Sequence, residues 1–278
     1  MCSSDLALEL AASIVEIANE NMASAIKMVS LERGHDPRRF ALLAFGGAGP
    51  LHAAAVARLL DIPRVIVPQY PGVFSALGLL LADIRVDKVW TQAFRSNGVD
   101  AALVNRQMGM IADRAVGELR QEGYAGEPEM RRAINMRYLG QNYEHEVEID
   151  AGELDEAALE RSFRRFDRLH ADRYGYQIDD EVIELVSFKV SAIGRRPTPD
   201  LSQPVAPAEF PRGSREVYVR GSGFVPAEVV RRSSLEAGER VAGPAVIEED
   251  GSTTFVEPGM TVERGEQGAL VIETGVER

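Results

Sequence analysis

From Leu6 to Val29 apolar residues return at helical spacing. Leu10, Ile14, Ile17, Ala18, Met22, Ala25 and Val29 form one stripe, and Glu9, Glu16, Glu20 and Lys27 lie off it. This pattern predicts an amphipathic helix that buries the stripe, with Asp5 as its N-cap and Gly34 as its stop. The run Phe40 to Phe45 predicts a short strand. It ends in Gly46-Gly47-Ala48-Gly49-Pro50 and leads into LHAAAVARLL, rich in strong helix formers and with Pro where a first turn tolerates it. Arg64 to Val67 predicts a second, buried strand, followed by a turn containing Pro68, Pro71 and Gly72 and a helix through Leu81. Strand, helix and strand in alternation make an α/β pattern.

The pattern changes after about residue 85. Val86 to Phe94 predicts a strand, Ala101 to Leu119 an amphipathic helix, Arg131 to Leu139 and Glu144 to Ile149 two strands, Leu154 to Tyr174 a helix, and Val182 to Ile193 a strand. This is an α+β unit. The proline-rich stretch Arg195 to Arg212 predicts a linker. Beyond it, short β-prone runs at Glu216 to Val219, Glu228 to Val230, Ala245 to Ile247, Thr253 to Val256 and Ala269 to Ile272 predict a small sandwich or partial barrel. The expected domains are 1–85, 86–196 and 197–278.

With 278 residues, 31 basic against 43 acidic side chains and a formal charge of -12, the chain is long enough for a sizeable core and repels polyanions. Nucleic acid and anionic membranes are therefore not expected partners. The apolar stretch Val73 to Ala82 is far short of the roughly 20 residues a bilayer span needs. The single cysteine, Cys2, allows no internal disulfide and no cysteine-based metal cage, which fits a reducing cytoplasm. The opening MCSSDLALEL lacks the basic segment of a secretory signal.

The strongest chemical signal is AFGGAGPLHA. Glycines between a buried strand and a helix start let backbone approach a ligand, while the first free N–H groups of the helix face an anion. A dinucleotide fingerprint would need Gly at 47, 49 and 52, but position 52 is His, and no Gly-Lys pair exists for a phosphate loop of the Walker type. A tight packing turn explains the same glycines, so both readings stand at this point. His52 lies one turn into the helix, where the positive helix end would keep it a neutral donor. Gly72 and Ser75, after the next strand, are candidates for the opposite wall of one cleft.

Other polar residues predict less. His145 between Glu144 and Glu146 reads as an exposed polar edge, and His170 with Asp167 as a solvated helix face. Arg161, Arg164, Arg165 and Arg168 share their helix with Glu160 and Asp167 as mixed-sign pairs. Arg231-Arg232-Ser233-Ser234 reads as a charged edge or partner contact, and Asp250-Gly251-Ser252-Thr253 as a plain β-turn. No lysine follows Lys189, which excludes a biotin or lipoyl carrier. No metal site is assigned within the chain.

Three blocks in order carry a resemblance: NENMASAIKMVSLERGHDPRRFALLAFGGAGPLHAAAVARLLDIPRVIVPQYPGVFSALGLLLADIRVD, MRYLGQNYEHEVEI and RRSSLEAGERVAGPAVIEEDGSTTFVEPG. Together they resemble the C-terminal part of the hydantoinase A/oxoprolinase family, which includes N-methylhydantoinases, 5-oxoprolinases and subunits of acetone and acetophenone carboxylases. The resemblance implies a partial actin- or hexokinase-like ATPase lobe, then an α+β unit and a small β-rich C-terminal domain. It implies ATP as cofactor, with Gly46, Gly47, Ala48 and Gly49 lining the adenosine pocket and His52 at the place of a family histidine. Phosphate hairpins and Mg2+ ligands are expected in a preceding part that this chain does not contain, so the chain alone is expected to be inactive. The implied reaction is ATP-driven opening of a cyclic amide by a cytoplasmic enzyme with a hydantoinase B-like partner; a carboxylase subunit or a non-catalytic assembly module are the alternatives.

Overall fold

The computed structural model describes residues 3–178, 180–198 and 210–276. The chain divides into two compact units, Met1–Leu80 with Pro199–Arg278, and Leu81–Thr198. The central part of the expected linker falls outside the described residues.

The first segment holds α1 (Ser3–Ser30), β1 (Ala41–Leu43), α2 (Gly49–Leu59), β2 (Arg64–Val67) and α3 (Phe74–Leu81). Helix α1 runs through Asp5 and closes with a 3-10 turn, Leu31–Arg33, ended by Gly34 in the left-handed region at φ 79°. Only the C-terminal half of its apolar residues reaches the core: Met22, Ala23 and Ile26 pack there beside α2. Leu10, Ile14, Ile17 and Val29, expected in the buried stripe, are exposed.

The second unit comprises β3 (Ile84–Arg95), α4 (Ala101–Gln121), β4 (Glu129–Tyr138), β5 (His145–Ile149), α5 (Glu156–Tyr174) and β6 (Ile183–Gly194). Its antiparallel sheet has the order β3-β6-β4-β5. Both helices start on an aspartate cap: the Asp100 carboxylate accepts from Leu103 N–H at 2.9 Å and that of Asp155 from Ala158 N–H at 2.7 Å. Residues alternate as a half-buried sheet requires. His145, Val147 and Ile149 are buried with Ile134, Met136 and Tyr138, while Glu146 and Glu148 face outward. Val104, Met108 and Ile111 of α4 and Leu159 and Phe166 of α5 complete the core.

The last segment contributes β7 (Gly213–Val219), β8 (Gly223–Arg231), β9 (Arg240–Ala242), β10 (Ala245–Glu249), β11 (Ser252–Val256), β12 (Thr261–Arg264) and β13 (Leu270–Glu273). These strands do not close on themselves. β13 pairs antiparallel with β2, Val271 opposite Ile66, and the sheet runs β1-β2-β13-β12-β9; β11-β10-β8-β7 form another. Val65 and Val67 of β2 share one core with Ile247, Val256, Val262, Leu270 and Ile272. The expected separation of 1–85 from 197–278 therefore gives way to one unit, because the apolar faces of both segments are buried only against each other. Pro226 is accommodated inside β8 because pairing with β10 begins only at Glu228.

Candidate functional site

Between β1 and α2 the chain turns through residues 44 to 48. Two backbone bonds hold it to the following segment: Ala44 N–H donates to the Ile66 carbonyl at 2.9 Å and Gly46 N–H to the Pro71 carbonyl at 2.8 Å. Phe45 and Phe74, with ring centroids 5.2 Å apart, close the two loops together. Gly46 has φ 89°, a conformation that disfavours any side chain, and nothing lies within 4 Å of where a Cβ would stand. Open space therefore borders Gly46.

Gly47 and Gly72 have a different neighbour. A Cβ on Gly47 would stand 3.4 Å from the Gly251 carbonyl oxygen, and one on Gly72 only 2.6 Å from the same atom. The Ser252 hydroxyl donates to the Gly47 carbonyl at 3.3 Å. The Asp250-Gly251 turn, expected only as a plain β-turn, thus packs on both glycine loops. Backbone lies against one side of Gly47, and at Gly72 the missing side chain makes room for that packing.

Helix α2 starts at Gly49 with Ala48 as N-cap, no side-chain cap bond and Pro50 in the first turn. Its first N–H groups are left without a side-chain acceptor. His52, one turn on, is half-buried. Its Nδ1 lies 2.9 Å from Oδ1 of Asn19 on α1. A carboxamide oxygen only accepts, so Nδ1 is the donor in this contact, and in the neutral ring Nε2 is an acceptor. Asn19, 8% exposed, escaped the sequence reading. Its spacing to Met22, Ala23 and Ile26, which places it on the buried face of the helix, is the signal that marks it. Ser75 lies exposed on the first turn of α3.

Beside the Asp250-Gly251 turn a cavity of about 170 Å³ is lined by Gln69, Tyr70, Arg231, Arg232, Glu249 and Asp250, among others. Arg232, expected on an exposed edge, is buried; its guanidinium meets the Glu249 carboxylate at 2.8 and 3.0 Å and donates to the Val67 carbonyl at 2.7 Å. Burial pulls Arg232 down and pushes Glu249 up, each outweighing the attraction of its partner. Arg231 meets Asp250 at 2.7 Å. Both of these arginines face a carboxylate.

The second unit corrects two further expectations. His145 is 3% and His170 1% exposed, so neither is a solvated edge. Nδ1 of His170 donates to the Tyr176 carbonyl at 2.8 Å, whereas both ring nitrogens of His145 are buried without a hydrogen-bond partner. Burial, then the charges of Arg173 and His170, hold His145 below the usual imidazole range. The arginines of α5 do pair with acids: Arg161 and Arg165 reach Asp150 at 3.0 and 2.6 Å. Among the described residues no three His, Cys, Asp or Glu side chains form a metal-binding group, and no helix is long and apolar enough to cross a membrane.

The hydantoinase/oxoprolinase family model matches residues 2–88, and that of the hydantoinase/oxoprolinase C-terminal domain matches residues 95–267. Caprolactamase subunit alpha of Pseudomonas jessenii is 32% identical over 261 residues, covering 91% of this chain and 38% of its own length. 5-Oxoprolinase 1 of Arabidopsis thaliana is 29% identical, with 90% of this chain and 20% of its own length covered. The crystal structure of ATP-dependent caprolactamase from Pseudomonas jessenii matches at a TM-score of 0.68 and 31% identity, covering 95% of this chain and 40% of that one. Nucleotide-free acetone carboxylase, at a TM-score of 0.77 and 24% identity, shares the fold and covers 95% of this chain and 39% of its own. The chain thus spans about two-fifths or less of the relatives it matches. With both family models in succession along its length, the chain belongs to the hydantoinase/oxoprolinase family.

Proposed function

We propose that this chain forms the adenosine-side portion of an ATP-dependent enzyme that opens a cyclic amide. The observation that carries the reading is the Gly46 to Gly49 turn. An open-sided glycine at φ 89° lies between a parallel strand and a helix start that no side chain caps. Such a turn offers backbone edges to a planar base and sugar, and uncapped N–H groups to the adjoining anionic groups. The relatives named for caprolactam and 5-oxoproline act on cyclic amides by name, and the caprolactamase is ATP-dependent by name.

In this reading Gly46, Ala48 and Gly49 hold the nucleoside, while Gly47 and Gly72 fix the loops through the Gly251 turn. When bound, ATP supplies phosphoryl activation of the amide oxygen. Asn19 orients His52 so that its Nε2 can accept a proton from an attacking water. The Mg2+ and phosphate ligands are placed in the family polypeptide that this chain does not match, and a hydantoinase B-like subunit is the expected partner. The turnover of ATP tests the reaction class. The chain joined to the portion of a family member that it does not match is assayed with five- to seven-membered lactams and hydantoins, and with ketones plus bicarbonate. Stimulation by cyclic amides alone is expected; stimulation only by ketone with bicarbonate would overturn the hydrolase reading.

A further inference from the structure

The cavity of about 170 Å³ beside the Asp250-Gly251 turn holds a third arginine, Arg264 of β12. Arg264 is 8% exposed, and its guanidinium donates to the Leu235 carbonyl. Among the described residues it meets no carboxylate, and its other N–H groups have no acceptor. A cation taken out of water needs a counter-charge and full hydrogen bonding, and Arg264 has neither within the chain. Its charge adds to that at Arg232, which it holds lower still. Arg231 supplies another free donor: it meets Asp250 through Nη2, but its Nε is buried without an acceptor. The two carboxylates nearest the surface are less committed. Glu248 is shared with Arg215 at 3.1 Å, and the Asp250 side chain is 96% exposed. Gln69 and Ser233 also line the cavity, and neither side chain has a hydrogen-bond partner among the described residues.

We propose that this cavity binds a small amino carboxylate, its carboxylate held by Arg264 and the Nε of Arg231 and its ammonium group met by Glu248 and Asp250. A carboxylate supplies the charge and the acceptors that the two guanidinium groups lack, and charge-assisted bonds of this kind are the strong ones. The accompanying carboxylates favour a zwitterion over a simple anion, because a dianion such as phosphate would be repelled by Glu249 and Asp250. A void of about 150 Å³ admits a benzene-sized molecule, so this one seats roughly six non-hydrogen atoms, with the far end of a longer molecule in its mouth. Hydrolysis of a cyclic amide leaves an amine and a carboxylate on one molecule. The product of the reaction proposed above is therefore of this class, and that identification alone rests on that reading. Asp250 precedes the Gly251 that packs on Gly47 and Gly72, so an occupant also touches the support of the glycine loops.

The test is calorimetric titration of the chain, without ATP, with 6-aminohexanoate and glutamate, the ring-opened forms of caprolactam and 5-oxoproline, and with 1-aminohexane, hexanoate and inorganic phosphate for comparison. Saturable one-to-one binding of an amino carboxylate is expected, weakened at least about tenfold when the carboxylate is absent and by Arg264→Gln. Because Arg264 is buried, a second variant keeps every arginine: Ser233→Leu fills the cavity from a half-buried position and should weaken binding as much, with the thermal melt unchanged. In NMR the Nε–H signals of Arg231 and Arg264 should shift with the same saturation. No saturable binding, binding untouched by Ser233→Leu, or equal binding of 1-aminohexane overturns the proposal, as does phosphate binding more tightly than either amino carboxylate. Loss of binding in the chain joined to the unmatched portion of the caprolactamase alpha chain would assign the place to a protein carboxylate and also overturn it. Binding intact in a protein whose ATP turnover ignores cyclic amides would defeat the reaction reading and leave the site standing.

Discussion

Gly72 and Gly47 both lie against the Gly251 carbonyl, and the contrast with Gly78 makes that packing measurable. Alanine at Gly72 places a Cβ 2.6 Å from the Gly251 oxygen, a contact only backbone movement relieves, and should cost roughly 1–3 kcal/mol in urea unfolding. Alanine at Gly78, inside α3 with nothing within 4 Å, should be neutral or stabilise by about 0.5–1 kcal/mol. His145 gives a pH signature. Its folded pKa is depressed by burial and neighbouring positive charge, while the unfolded imidazole titrates near 6.5. Its stabilising contribution is complete above that value and is lost as pH falls through the folded one. Unfolding of the second unit should therefore become easier as pH falls below about 6.5, and His145→Phe should reduce that change. An unchanged pH dependence in the variant would contradict it. The burial of His145 was legible: it shares its parity on β5 with Val147 and Ile149, and the flanking glutamates, which face outward, disguised it.

At the level of elements, local chemistry explains what could be read. The strand runs of β4 and β5 and the helical spacing in α4 and α5 are written within a few residues, and the second unit follows from them. Asp155→Ala should lower the stability of that unit by about 1 kcal/mol in a thermal melt. β9 and β12 were not legible, because three and four residues rich in charge carry too short a pattern. The turn after β10 was legible as a turn, but its seat on two glycine loops some 180 to 205 residues away in the chain was not. The buried Arg232–Glu249 pair ties the end of β8 to β10 and β2. Glu249→Ala would strand a buried guanidinium and should cost about 3–5 kcal/mol in denaturant unfolding, more than any exposed pair of the chain.

On the scale of the whole molecule, the union of the first and last segments is the feature that local pattern conceals. β2 and β13 pair across more than 200 residues, and nothing in either strand names its partner. The same limit applies to α1. Periodicity announced a helix with an apolar stripe, but only packing reveals that one face meets α2 while Leu10, Ile14 and Ile17 are exposed. The family block around the glycine turn was legible as kinship. What the turn does was not, because the glycines satisfy two demands at once, close packing at 47 and 72 and open space at 46.

The central claim, that this turn receives an adenosine, is tested most directly by amide-resolved NMR titration of the chain with ATP. The account predicts weak saturable binding, with the largest shifts at Gly46, Ala48, Gly49 and His52 and small ones at Gly251. Shifts confined to other surfaces, or none at millimolar ATP in a chain whose unmatched portion has been supplied, would contradict it.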